Sequence, residues 1–269
     1  MDHRIARILV TLAVACCVQS ASAQANASVF LEELTWTELR DQVRAGTTTI
    51  IVPIGGTEQN GPAMVLGKHN VRVKALAAKV AIGLGHALVA PVIAYVPEGS
   101  VNPPSAHMRF AGTITIPDAA FEATLEYAAR SFRQHGFRDI VFLGDHGGYQ
   151  KNLRRVADKL DREWARDTAR VHAVDEYYRA VDVDYVQALK RLGYSDAEIG
   201  SHAGLADTSL AMAVDPRLVR ADRLHALTAA GAQGVYGEPA RSTAQAGQQG
   251  VDLVVAHTIE AIKQRIARH

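Results

Sequence analysis

Short apolar runs alternate along this chain with stretches of helical period, and that alternation restricts the fold more than any single motif does. Thr47–Pro53 reads as a strand, Val71–Leu84 as a helix, Ala87–Ile93 as a strand, Pro117–His135 as a helix and Arg138–Leu143 as a strand. A helix over Gln150–Ala165, a strand at Arg170–Val174, a helix from Ala203 to Val214 and a last helix from Val251 to Arg268 complete the series. Repeated strand–helix units imply an α/β fold, with parallel strands and crossover helices on both faces of the sheet. In such sheets ligands gather beyond the carboxyl ends of the strands. Two stretches lack a clear period, Tyr95–Gly112 and Thr228–Gln249. Loops this long are expected to serve as pocket walls or subunit contacts.

The N-terminus predicts export. Arg4 and Arg7 precede the apolar run Ile8–Val18, and Ala21-Ser22-Ala23 follows as a small-x-small cleavage signal. We therefore expect a signal peptide over 1–23, one domain over 24–269, and a periplasmic or secreted product. A lipoprotein anchor on Cys16 or Cys17 is the second reading, but neither cysteine follows the usual Leu-small-small pattern. Both cysteines fall inside the segment to be removed, so the mature chain is expected to use no disulfide, thiolate ligand or cysteine nucleophile. Any metal must then be held by His, Asp, Glu and water. The apolar run is shorter than the ~20 residues of a membrane span, and no stable membrane insertion is expected. A formal net charge of +1, with both signs interspersed, gives no basic stripe for nucleic acid.

Three polar clusters follow strand-like runs or precede a helix. Ile50–Asn70 stops at a glycine-rich loop holding Glu58 and His69, Ile140–Gly148 ends in Asp145 and His146, and Gly200–Ser209 carries His202 and Asp207. Histidines and carboxylates grouped in this way point to one site. The chain has no G-x-S-x-G and no G-x-G-x-x-G after a strand, which disfavours a serine hydrolase and a dinucleotide-binding protein.

Five segments resemble, in order, the motifs of the creatininase (creatinine amidohydrolase) family. They are Gly55-Gly56-Thr57-Glu58-Gln59-Asn60-Gly61-Pro62, running on to His69; His107-Met108-Arg109-Phe110-Ala111-Gly112-Thr113-Ile114; Gly144-Asp145-His146-Gly147-Gly148; His202-Ala203-Gly204-Leu205-Ala206-Asp207-Thr208-Ser209; and Gly234-Val235-Tyr236-Gly237-Glu238-Pro239. The resemblance implies a three-layer α/β/α sandwich with a mostly parallel sheet, a metal hydrolase acting on C–N bonds, and assembly as a homo-oligomer, commonly a hexamer. It also implies two divalent ions in typical members. Glu58 and His146 match the family's ligand positions outright. Asn60 stands where the family has His, Ala63 replaces a second His, His69 replaces a bridging Asp, and Asp207 aligns with a later Glu.

Those departures change the expected chemistry. A carboxylate bridges two cations through two oxygens, whereas a neutral imidazole offers one lone pair. A single divalent ion per subunit held by Glu58, His69 and His146, with Asp207 as a fourth or water-mediated ligand, is the simplest expectation. Zinc suits such a set, and Mn²⁺ or Fe²⁺ suits it nearly as well. The substrate would be a small cyclic or linear amide, or a short peptide, cleaved by metal-activated water. His202 is the expected acid/base, with Asp145 as its alternative or as a carboxylate orienting an imidazole. Asn60, His107, Gly147 and Gly148 are the expected substrate contacts, the glycines through backbone N–H groups at a helix start. The rival reading is a catalytically inactive periplasmic binding or structural relative.

Overall fold

The structure is a computed structural model that describes residues 28–226 and 232–268. The proposed signal peptide lies outside the described residues. Helix α1 (Trp36–Arg44) leads into strand β1 (Thr49–Ile54), helix α2 (Lys68–Leu84) and strand β2 (Ala87–Val89). Then come α3 (Asp118–Gln134), β3 (Asp139–Gly144), α4 (Gln150–Glu163) and β4 (Arg170–Ala173). The C-terminal part is helical: α5 (Asp175–Arg179), a π-helical turn (Ala180–Tyr185), α6 (Val186–Arg191), α7 (Asp196–Ile199), α8 (Leu205–Val214) and α9 (Ala244–Ile266).

The strands form one sheet in the order β2-β1-β3-β4, and all three pairings are parallel. Side chains alternate across it. Ile51, Val89, Val141 and Leu143 face a core built with α2, α5, α8 and α9. Ile50, Val52, Leu88, Ile140, Phe142 and Val171 face a second core, built with α3 and α4. Both faces of the sheet are therefore covered, which gives the three layers. The chain leaves β1 toward β2 and returns on the other side as β3, so the strand order reverses between β1 and β3. A crevice opens at such a reversal, beyond the carboxyl ends of the two strands.

Element ends differ from expectation where capping decides them. Helix α2 begins at Lys68, three residues before Val71, with Gly67 as its N-cap. His69 thus belongs to the first turn of the helix. Asn70 does not cap it, because its Oδ1 accepts the Gly56 N–H (2.9 Å) and its Nδ2 donates to Thr57 Oγ1 (3.1 Å), bracing the loop after β1. Helix α9 starts at Ala244, seven residues before Val251, because the Thr243 side chain accepts the Ala246 N–H. Strand β2 stops at Val89, and Ile93 rejoins the sheet edge only through a single bridge to Ile54.

Phe142 is fully buried in the middle of β3. Phe142→Ala is expected to lower the unfolding free energy by about 3–5 kcal/mol, read from urea denaturation.

Candidate metal centre

Glu58 follows β1, and Asp145 and His146 follow β3. Tyr149 ties the two strand ends together: its hydroxyl donates to Ile54 O (2.8 Å) or Gly55 O (2.6 Å) and accepts the N–H groups of Asp145 and His146 (each 3.1 Å). Gly56 has φ +152, and a Cβ there would lie 2.7 Å from Glu98 Oε1. Only glycine lets the loop from Pro97 bring Glu98 against the site.

Glu58 is wholly buried and its two oxygens face different groups. Oε2 lies 3.2 Å from His107 Nε2 and 3.3 Å from His146 Nε2, and His146 Nε2 is 3.7 Å from Glu98 Oε2. The ligand atoms of Glu58, Glu98, His107 and His146 all lie within 4.8 Å of one another. Glu58 Oε2 and both oxygens of Glu98 are buried without a hydrogen-bond partner. Orphaned carboxylate oxygens of this kind carry a large desolvation cost. Burial, reinforced by the neighbouring Glu58 charge, pushes the Glu98 carboxyl up to about 9. Burial also acts against the Glu58 anion, but His69, His146 and Lys68 outweigh it and hold its pKa well below the usual range. Two carboxylates and two imidazoles around one point are a donor set that a divalent cation fits. Outer contacts hold both rings with Nε2 inward: His146 Nδ1 accepts the Gly148 N–H (3.1 Å), and His107 Nδ1 accepts from Gln59 Nε2 (3.1 Å), so each neutral ring carries its proton on Nε2 and would have to change tautomer to ligate an ion there.

On the opposite side of Glu58 lies a network of ion pairs. His69 is 2.8 Å from Glu58 Oε1 through Nε2 and 2.6 Å from Asp145 Oδ2 through Nδ1. Asp145 also accepts from Arg72 Nε (2.9 Å) and from the Tyr177 hydroxyl (2.6 Å). Arg72 reaches on to Asp207 Oδ1 (2.6 Å), and the Lys68 ammonium donates to Asp207 Oδ2. Burial disfavours charge on His69, Arg72, Asp145 and Asp207, yet their partners prevail: both cations titrate higher than usual and both carboxylates lower.

The expected site residues thus divide between the two sides of Glu58. Glu58, His146 and His107 converge, and His107 stands among the potential ligands as well as on the cavity wall. His69 and Asp207 lie in the ion-pair network, where Glu58, Asp145, Lys68 and Arg72 engage them. Asp145 orients an imidazole, that of His69 rather than His146. His202 donates through Nε2 to Gln59 O (2.9 Å) and turns Nδ1 toward Glu58 Oε1, 3.7 Å away. Burial, reinforced by Lys68, lowers its pKa to about 4, leaving the ring neutral. Asn60 is turned into its own loop, donating to Glu58 O and Val65 O (3.0 Å each), and is not among the residues lining the cavity. Gly147 and Gly148 form a short 3-10 turn before α4. A Cβ on Gly148 would lie 2.9 Å from the His146 ring, so that glycine gives the ring its room.

Glu98, Lys68 and Arg72 were not singled out from the sequence. For Glu98 the available signal was an acidic residue between Pro97 and Gly99 in a long aperiodic loop. For Lys68 and Arg72 it was basic residues in the first turns of a helix, against the macrodipole.

The site opens into a cavity of about 310 Å³. Lys68, Arg72, His107, Asp145, His146, His202 and Asp207 make its polar floor, and Tyr178, Val181, Val186 and Tyr236 contribute its apolar walls. Among the described residues, no helix is long and apolar enough to cross a membrane.

Comparison with known proteins places this geometry in context. A family profile described as "Creatininase: Creatinine amidohydrolase" matches residues 32–262. The creatinine amidohydrolase of Pseudomonas putida is 28% identical over 205 residues, covering 73% of this chain and 76% of its own length. A mycofactocin precursor peptide peptidase of Mycolicibacterium smegmatis is 26% identical over 249 residues, covering 84% of this chain and 87% of its own. A crystal structure of creatinine amidohydrolase superimposes with a TM-score of 0.76 at 25% identity, covering 90% of this chain and 99% of that one. A manganese form of creatininase (26% identical, 89% and 99% covered) and a zinc–zinc form of a variant (27%, 90% and 99%) each give a TM-score of 0.72.

Arg72 is 2% exposed and is the shared partner of Asp145 and Asp207. Arg72→Met is expected to destabilise the chain by about 3–5 kcal/mol, because the buried Asp145 and the part-buried Asp207 lose their common cation. Part of the loss should return in Arg72→Met/Asp207→Asn, measured as a double-mutant cycle by denaturation.

Proposed function

The chain belongs to the creatininase (creatinine amidohydrolase) family, and we propose that it is an exported, metal-dependent hydrolase cleaving a C–N bond of a small cyclic or linear amide or a short peptide. The observation that carries this reading is the convergence of Glu58, Glu98, His107 and His146 with three carboxylate oxygens buried and unpartnered. These four residues would hold one divalent ion per subunit. Zinc is the first expectation, with manganese or iron as alternatives that the same oxygen and nitrogen donors accept. His69 and Asp207, given as ligands by motif position, act instead on Glu58 and on Lys68 and Arg72. Homo-oligomeric assembly and location outside the cytoplasm belong to the same reading.

When bound, the ion supplies Lewis acidity, polarising the scissile carbonyl and drawing the pKa of a water toward ~7. The chain's own groups do the rest. Asp145 holds the His69 imidazole, and His69 holds Glu58 through Oε1, which leaves Oε2 aimed at the centre. His202 is neutral and lines the cavity with Nδ1 beside Glu58 Oε1, as suits a proton acceptor that later returns the proton to the departing nitrogen. Tyr178, Val181, Val186 and Tyr236 would receive the apolar part of the substrate and exclude water there.

Metal analysis of the purified protein, with and without added Zn²⁺ or Mn²⁺, tests the reading. About one equivalent is expected, with metal affinity falling at least 10-fold to 100-fold in His146→Ala and in Glu98→Gln and amide hydrolysis lost alongside. A wild type that takes up no metal, while His146→Ala is as stable as wild type, would favour the inactive binding relative. A screen of lactams, amides and short peptides then identifies the substrate class.

A further inference from the structure

We propose that the Lys68 ammonium is a resident second cation, occupying a seat that would otherwise admit another divalent ion. The proposal rests on the metal-hydrolase reading for its function, although its geometry stands apart from that reading. Glu58 presents two oxygens to two sides. Oε2 faces the unpartnered cluster with His107 and His146. Oε1 faces a different group: His69 Nε2 at 2.8 Å, Lys68 Nζ at 3.7 Å and His202 Nδ1 at 3.7 Å.

Two carboxylates flank Nζ. Asp207 Oδ2 accepts from Nζ and also from the Ala203 N–H (3.0 Å), and Glu58 Oε1 lies on the other side. Both ring nitrogens of His69 are taken, by Glu58 and Asp145, while His202 Nδ1 faces the same Glu58 Oε1. Two carboxylates and one imidazole would suit a divalent ion once the ammonium is removed. Here a lysine with only 1% of its surface exposed fills the place and supplies the charge. Lys68 is the first residue of α2, where the positive end of the helix dipole disfavours a cation. Its retention there therefore depends on the carboxylates it faces. Arg72, one turn further on, neutralises Asp207 Oδ1 and Asp145 and so completes the compensation by protein cations alone.

The consequence is a division of labour across one carboxylate. One side of Glu58 is left to an exchangeable ion, and the other carries a covalently tethered charge that no chelator can remove. Lys68 also lines the cavity, which places that charge beside a bound substrate.

The test is a count of bound metal after equilibrium dialysis against excess Zn²⁺ or Mn²⁺, in wild type, Lys68→Ser and Lys68→Met. Lys68→Ser empties the seat, and Lys68→Met fills it without charge. The expected result is one more equivalent in Lys68→Ser than in wild type, with Lys68→Met unchanged from wild type. A folded Lys68→Ser protein that binds no more metal than wild type overturns the proposal, and so does a wild type that binds two equivalents. Because the readout is a difference, it stands even if wild type binds none. That last result would overturn the metal-hydrolase reading by itself. Circular dichroism verifies folding, and should Lys68→Ser fail to fold, Lys68→Asn carries the same prediction.

Discussion

A fully buried carboxylate at Glu58 is the constraint on which the rest of the site depends. Taking a carboxylate out of water is costly, and the cost is offset only by cations or hydrogen-bond donors placed against both oxygens. The chain meets this on the Oε1 side with His69 and Lys68, and those two in turn require Asp145 and Asp207. The Oε2 side is left facing two imidazoles and a second buried carboxyl, Glu98, with no donor in hydrogen-bonding geometry. That asymmetry turns an ionic core into a candidate catalytic centre, because a small cation is the simplest species able to satisfy Oε2 and Glu98 together.

The sheet makes the asymmetry possible. Reversal of strand order between β1 and β3 opens a crevice where the loops after both strands meet, and Tyr149 fixes the distance between them. One face of Glu58 is then approached by α2, whose first turn supplies Lys68 and His69, and by α8, which supplies Asp207. The loops supply the other face: Glu98 and His107 from the stretch between β2 and α3, and His146 from the end of β3. Ion pairs rooted in helices hold one side and candidate ligands on loops the other, and residues of both sides line the cavity. Binding groups set on loops above a fixed scaffold are a common solution in α/β enzymes.

Much of this was legible in the sequence, for identifiable reasons. The runs that form β1 and β3 are apolar over Ile50–Ile54 and Ile140–Leu143, because a parallel strand covered on both faces must be, and their abrupt ends at Gly55 and Asp145 put Glu58 and His146 beyond the carboxyl edge. The aperiodic stretch from Tyr95, expected to be a pocket wall or a subunit contact, carries Glu98 and His107 to the site. What stayed hidden depended on side-chain partnership across large sequence separations. His69 and Asp207 have ligand chemistry and occupy motif positions, but Lys68 and Arg72 engage the network around them, and a contact between residues 68 and 207 leaves no mark on local periodicity. Asn60 was read as a substrate contact from its motif position, yet its amide closes the loop on Glu58 O and Val65 O. The start of α2 was placed late because Gly67 gives no side-chain cap to announce it.

Anomalous diffraction from crystals grown with Zn²⁺ or Mn²⁺ locates the ion relative to Glu58. One strong peak per chain is expected, bounded by Glu58 Oε2, Glu98, His107 and His146, with Lys68 Nζ beside Glu58 Oε1 and still paired with Asp207. A peak coordinated instead by His69 and Asp207, or no peak beside Glu58 at saturating metal, would contradict this placement.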